Sequence, residues 1–277
     1  MTQTRIFAAF AAAFALCAWN ALAAAATLTI VAGDQRRTFS QSQLLSRSDV
    51  RTLSIADSVY QRRFTRFEAI PIADLFKGLS IPRSAVIQCN GTDGFSAILG
   101  RARLFGTDPA ASQAFLAIED PKHPWPHLAG GTTSAGPFYL VWTNPRASAI
   151  GSEEWPYKIA SLHVLPDARS VFPKIYPAAD APRNVQRGFR SFQKNCSACH
   201  TMNGEGGGSV GPDLNLPMNP TRYFAPAALV RFIRDPSSVR HWPRMTMHGF
   251  SAAAIPDPEL ADLIAYLRYM KGHRNRP

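Results

Sequence analysis

The chain has 277 residues, of which 46% are hydrophobic and 18% are charged, a composition typical of a globular protein and too apolar for a disordered chain. Its 30 basic against 19 acidic side chains give a net charge of +11, which suits an acidic partner, and its 22 prolines exclude long uninterrupted helices over most of the length. At this length about two domains are expected.

The first 26 residues have the pattern of a secretory signal peptide. A short basic start at Arg5 precedes an apolar stretch over residues 6–22, and small residues suited to cleavage lie near Ala23–Ala26. The stretch is rich in alanine, which makes it too weakly hydrophobic to favour a membrane anchor. No other segment approaches the ~18 apolar residues of a membrane span. The sequence therefore predicts an exported protein of the periplasm, with no transmembrane segment in its mature chain.

Residues 27–165 are expected to form a β-rich α+β domain. Apolar runs bounded by turn residues predict short strands at 27–31, 50–55, 115–118, 137–142 and 157–165.

Local turn and helix signals complete this region. The turn residues Asn90–Gly94 lie between two further apolar runs and predict a hairpin over 85–99. Short helices are predicted over 40–45 and over 72–76, the second ending at Gly78.

Four motifs in this region resemble the molybdopterin-binding domain of sulfite-oxidase-like oxidoreductases, in the same order. They lie at residues 70–76, 93–97, 117–120 and 135–141. The resemblance implies the fold of that domain.

The cysteine that ligates molybdenum in that family is not matched here. In the family it precedes the segment matching residues 72–76, whereas residues 27–71 of this chain hold no cysteine and Cys89 comes after that segment. A soft metal site without its thiolate loses its main anchor, so no molybdopterin is expected. Cys89 is interpreted as a small buried hydrophobic residue.

A proline-rich segment separates this region from the rest of the chain. Residues 166–182 contain four prolines and few periodic apolar positions, which predicts a semi-rigid linker. Beyond it, in residues 181–277, basic side chains outnumber acidic ones about two to one.

The segment Cys196-Ser197-Ala198-Cys199-His200 has the spacing of a c-type haem attachment site. The two thiols would bond to the haem vinyl groups, and His200 would ligate the iron. Half a zinc site and a redox dithiol are the alternatives. Zinc would need a second ligand pair, and a dithiol would not need His200.

The residues around this motif resemble a class I cytochrome c over residues 183–277. Gly188, Phe192 and Cys196 follow one another at intervals of four on one face of an opening helix, and further helices are predicted over 225–234 and 257–270.

The resemblance implies an all-α domain with one covalent haem c. It also implies that the Pro212 carbonyl accepts the ring N–H of His200. Tyr266 resembles the aromatic residue that packs against the opening helix, and the resemblance counts it with Pro212 among the residues that bind the cofactor.

The sixth iron ligand is expected between the last two helices. Met247-His248-Gly249-Phe250 resembles the Met-Pro-x-Phe segment of the family, with His248 in the place of proline. Met247 is therefore preferred, with Met245 as the alternative, and His241 and His248 stay open.

The function expected from these features is that of a periplasmic electron carrier rather than a catalyst. It would exchange single electrons with an acidic redox partner protein and bind no nucleic acid, with the N-terminal domain as a docking module. The first alternative is a haem-containing subunit or fusion of a molybdenum-dependent oxidoreductase. The second is a haem sensor or peroxidase with an open iron site.

Overall fold

The computed structural model describes residues 26–56, 59–60, 63–242 and 245–274. The predicted signal peptide lies outside these ranges, apart from its last residue. Within the described ranges, no helix combines the length and apolar character that crossing a bilayer requires.

Two β-sheets build the N-terminal region, which confirms the prediction that it is β-rich. The first sheet has five strands: β1 (Thr27–Ala32), β2 (Gln35–Ser40), β5 (Val86–Gly91), β6 (Ser96–Gly100) and β9 (Ile159–Leu165). Their order across the sheet is β2-β1-β9-β5-β6, with β1 and β9 parallel and the other neighbours antiparallel.

The second sheet is antiparallel throughout. Its four strands are β3 (Arg51–Ala56), β4 (Phe64–Pro71), β7 (Gln113–Ile118) and β8 (Phe138–Thr143), in the order β3-β4-β7-β8. Buried residues of the two sheets form one hydrophobic cluster. Five of the six residues of β8 are buried, which explains why its sequence is continuously apolar rather than alternating.

Short helical segments connect these strands. They are α1 (Gln41–Leu45), α2 (Arg101–Leu104) and two 3₁₀ helices, Ile72–Phe76 and Ser152–Glu154. The short helix predicted over 72–76 is thus present in its 3₁₀ form.

Strands β2 and β4 were not predicted. β2 is an edge strand of sequence QRRTFS without a buried residue, so it has no apolar alternation to detect. In β4 the buried positions of the alternating face are Thr65, Phe67 and Ala69, while Phe64 is 78% exposed. The usual contrast between an apolar and a polar face is therefore blurred in this strand.

The C-terminal region is helical. Its helices are α3 (Ala168–Val171), α4 (Arg183–Asn195), α5 (Pro220–Tyr223), α6 (Pro226–Arg234) and α7 (Asp257–Gly272), with 3₁₀ helices at Pro173–Ile175 and Pro236–Ser238.

Helices α4 and α7 pack closely at Gly188. A Cβ atom at this position would overlap the carbonyl oxygen of Asp262, so only glycine permits the approach. The Arg187 guanidinium donates two hydrogen bonds to the Asp262 carboxylate, of 2.6 and 3.0 Å. The Tyr266 ring lies 5.5 Å from Phe189 and 5.2 Å from Phe192, between ring centroids.

Part of the predicted linker belongs to the second hydrophobic core. Ile175 is 3% exposed and clusters with buried residues of α4, α6 and α7. The ring of Tyr176 lies 4.6 Å from that of Phe189. Although its four prolines predicted a spacer, residues 172–176 pack as a layer on the helices that follow them.

The N-terminal region contacts the segment that contains the Cys-x-x-Cys-His motif. The backbone N–H of Ser96 donates to the carbonyl of Ala198, inside the motif, and the N–H of Ser209 donates to the carbonyl of Gly94, both over 2.9 Å. A Cβ atom at Gly207 would overlap the Ser96 hydroxyl. The two regions therefore meet in a close-packed interface beside the motif.

Candidate haem site

The Cys-x-x-Cys-His segment begins where α4 ends. The N–H of Cys196 donates to the carbonyl of Phe192, and the N–H of His200 donates to the carbonyl of Cys196, each over 2.9 Å. This continuing turn brings Cys196, Cys199 and His200 to the wall of one cavity, with a volume of about 410 Å³. Ligand pockets in proteins typically measure about 300–1,000 Å³.

The ring of His200 is held by one hydrogen bond. Its Nδ1 lies 2.7 Å from the carbonyl oxygen of Pro212, which can only accept, so the proton is on Nδ1. Nε2 is then left with its lone pair for a metal. Burial lowers the pKa of His200, which favours the neutral imidazole that iron ligation needs.

The loop that supplies Pro212 is organised by Asp213. Its carboxylate accepts the backbone N–H groups of Gly204, Asn215 and Leu216, each over 2.7 Å. Burial opposes ionisation of Asp213, but these N–H bonds outweigh it, and the pKa of the carboxyl is lowered. Three buried asparagines add a further chain of bonds that ties this loop to α7: Asn203, Asn215 and Asn219.

The two motif thiols lie in surroundings that disfavour the thiolate. Burial raises the pKa of both thiols, and the negative charge of Glu153 raises it further. The pKa of Cys199 reaches about 12. A redox dithiol reacts through its thiolate, so these raised pKa values do not favour that alternative to haem attachment.

Both methionines proposed as the sixth ligand line the same cavity as His200. Met247 also packs against the second hydrophobic core, whereas Met245 does not belong to that cluster. His248 lines the cavity too, but its Nε2 lies 3.1 Å from Oε1 of Glu153. Among the four candidate ligands, His241 alone does not line the cavity; it is also exposed.

The rest of the lining fits a flat apolar cofactor with acidic substituents. It is largely aliphatic and aromatic, including Leu214, Leu229, Ile233, Phe250, Leu263 and Leu267. Arg240 supplies a positive charge at the cavity, with its guanidinium carbon 4.6 Å from the centre of the Phe224 ring. Two thiols, one neutral imidazole, a thioether and an apolar wall form a donor set that suits a covalently attached haem.

Tyr266 contacts the opening helix α4 through its ring. The side chain is fully buried between α4 and α7, and its hydroxyl donates to the carbonyl of Ile175 over 2.7 Å. Tyr266 is not among the described residues that line the cavity. Its observed contacts are with α4, through the rings of Phe189 and Phe192, and with the carbonyl of Ile175.

Cys89 lies inside the first sheet, paired with Ala97 on β6 and with Leu162 on β9. It is 1% exposed, and burial raises the pKa of its thiol to about 12. This burial agrees with the interpretation of Cys89 as a small buried hydrophobic residue.

Glu153 is a charged cavity residue that the sequence did not reveal. It comes from the N-terminal region, is 7% exposed, and lines the cavity beside Cys196 and Cys199. The Glu153 carboxylate raises the pKa of His248 through their hydrogen bond. The signal available in the sequence was a pair of adjacent acidic residues in a generally basic protein, which alone does not identify a site.

Residues 185–271 match the family model described as Cytochrome c. No curated protein matches the chain. The matched range contains the Cys-x-x-Cys-His motif and Met247, and it ends within α7. The chain thus contains a cytochrome c domain over residues 185–271, and this family implies a covalently bound haem c and electron transfer with a redox protein partner.

Proposed function

We propose that this protein is an exported monohaem cytochrome that passes single electrons to or from a redox partner. In this proposal Cys196 and Cys199 hold the haem through thioether bonds, and His200 and Met247 ligate the iron. The main supporting observation is that two side chains line the same apolar cavity. One is His200, whose ring is oriented by its bond to Pro212, and the other is Met247, which packs on the second core.

The residues of the chain have separate tasks. When bound, the haem supplies the one-electron chemistry. Pro212 holds the proton of His200 on Nδ1 and so keeps Nε2 available. The thioether of Met247 favours the reduced state and raises the potential. With His200 and Met247 both bound to it, the iron would have no position left for a small substrate, which suits a carrier rather than a peroxidase or a haem sensor.

The N-terminal region is proposed to dock the cytochrome domain beside its partner. Its hydrogen bonds with Ala198 and Ser209 support this role, because they give the two regions a defined orientation. The excess of basic side chains in residues 181–277 supports an acidic partner surface, which would increase the rate of encounter at low salt.

The proposal is tested on the purified, haem-loaded protein. We expect a low-spin ferric spectrum with the weak near-infrared band of sulfur-ligated iron, and a reversible one-electron reduction. A high-spin ferric spectrum with peroxide turnover would instead support the open-site alternative. Stoichiometric molybdenum in the same sample would favour the oxidoreductase alternative. Cell fractionation tests export, because the proposed periplasmic location rests on the first 26 residues.

A further inference from the structure

A buried carboxylate from the N-terminal region reaches the cavity of the cytochrome c domain. Glu153 is 7% exposed and lines the cavity that also contains Cys199, His200 and Met247. Burying an ionised carboxylate is unfavourable unless it is paired. Its partners are the Ser152 hydroxyl, 3.1 Å away, and Nε2 of His248, also 3.1 Å away.

The segment that carries Glu153 is firmly supported. The Glu154 carboxylate accepts the N–H of Gly151 over 2.7 Å and a guanidinium N–H of Arg103 over 2.9 Å. The indole N–H of the fully buried Trp142 donates to the backbone carbonyl of Glu154 over 2.7 Å. Glu153 therefore sits on a short 3₁₀ helix whose backbone is held against β8.

The segment on the other side of the contact is irregular, although Met247 packs on the second core and the backbone of Gly249 lies close to that of Arg234. Residues 245–249 belong to no helix or strand. On one side, the N–H of Met245 bonds to the carbonyl of Trp242, over 3.1 Å; on the other, the N–H of Phe250 bonds to the carbonyl of Ile233, over 3.0 Å. Between these anchors lie Met247 and His248, and the contact of His248 with Glu153 restrains them.

We propose that Glu153 is a positioning residue for the sixth iron ligand: it holds His248 and thereby keeps the neighbouring Met247 against the iron. The inference rests on the proposed function, since it takes Met247 as the ligand. It assigns the N-terminal region a second task beyond docking. That region contacts both the Cys-x-x-Cys-His segment, at Ala198, and the sixth-ligand segment, at His248.

The test measures how easily Met247 leaves the iron of the full-length, haem-loaded protein. Added imidazole binds ferric haem by displacing the methionine, so its apparent affinity reports the strength of that ligation. We expect Glu153→Ala to bind imidazole about tenfold more tightly, the change that loss of one hydrogen bond to a charged group produces. Glu153→Gln keeps an acceptor for His248 and is expected within about threefold of the wild type.

A double-variant cycle separates positioning from general destabilisation. If both residues act through one contact, Glu153→Ala combined with His248→Ala binds imidazole about as tightly as either single variant. Asp262→Asn serves as control, since it removes an ion pair with Arg187 away from the cavity and leaves imidazole affinity unchanged.

Two outcomes would overturn the inference: imidazole affinity of Glu153→Ala within about twofold of the wild type, or independent effects of the two substitutions that multiply. A different result would reject the proposed function itself. In that case the unaltered protein would lack the near-infrared sulfur band before any substitution is made.

Discussion

The hydroxyl of Tyr266, on the last helix, donates a hydrogen bond to the backbone carbonyl of Ile175, 91 residues earlier in the chain and 2.7 Å away. Ile175 was expected in a linker, yet it is 3% exposed in the second core. The Pro173–Ile175 turn therefore closes one side of the α4–α7 pair. The cytochrome c domain therefore packs against residues that precede the range matched by the family model.

This contact predicts where the chain can be divided. A variant that begins at residue 166 is expected to fold with haem and to reduce reversibly. A variant that begins at residue 181 lacks Ile175 and Tyr176, and its free energy of unfolding is expected to be lower by about 2–4 kcal/mol, from one buried aliphatic side chain and one aromatic pair. Urea unfolding of both haem-loaded variants measures the difference. Equal midpoints would show that residues 166–180 act only as a spacer.

A second prediction concerns the crossing of α4 and α7. Gly188→Ala is expected to lower the free energy of unfolding by about 3 kcal/mol, because the new methyl group meets the backbone of α7, which cannot move without disturbing the helix. Gly272→Ala is the matched control, since its Cβ has no neighbour within 4 Å. Thermal unfolding compares the two. A Gly188→Ala protein as stable as the control would contradict this packing.

The sequence predicted those features that depend on local patterns. The buried runs of β7 and β8, the helices α4, α6 and α7, and the Cys-x-x-Cys-His turn all carry a short-range signal in residue order. Glu153 carries no such signal. It lies 95 positions before His248, and only the packing of the N-terminal region on the haem segment brings the two together.

Residues 172–176 show the same limit at shorter range. Prolines at 173 and 177 indicate rigidity, which is compatible with a spacer or with a packed layer. The alternatives differ only in whether Ile175 packs against apolar side chains, and those side chains lie on helices that begin at residue 183 or later. Residue spacing therefore predicted the Cys-x-x-Cys-His motif, but it did not predict that residues 172–176 pack on the helices of the same domain.

A third prediction tests the attachment of haem. Replacing Cys196 and Cys199 together by serine removes both possible thioether bonds, so the exported protein is expected to lose essentially all covalent haem. Haem staining after denaturing electrophoresis measures this loss. Cys89→Ser is the matched control, because that thiol is buried in the first sheet, and it is expected to retain full staining. Staining that survives in the double variant would refute attachment at this motif.

The last prediction identifies the sixth ligand. Met247→Ala removes a neutral thioether that favours ferrous iron, so the reduction potential is expected to fall and the near-infrared band of sulfur-ligated ferric haem to vanish. Met245→Ala is the matched control, since it removes the same side chain two positions away from the same cavity wall. It should leave the band and the potential in place, with a packing loss of at most about 2 kcal/mol because Met245 is only partly buried.

The two methionine variants give distinct answers because Met247 packs on the second core and Met245 does not. Loss of the band in Met245→Ala alone would reverse the assignment. If the band persisted in both variants, neither methionine alone would be the sulfur ligand. A band absent from the unaltered protein would point to a histidine, and there His248 is disfavoured, since its Nε2 is already bonded to Glu153. With a histidine ligand the carrier would operate at a lower potential, because a second imidazole stabilises ferric iron more than a thioether does.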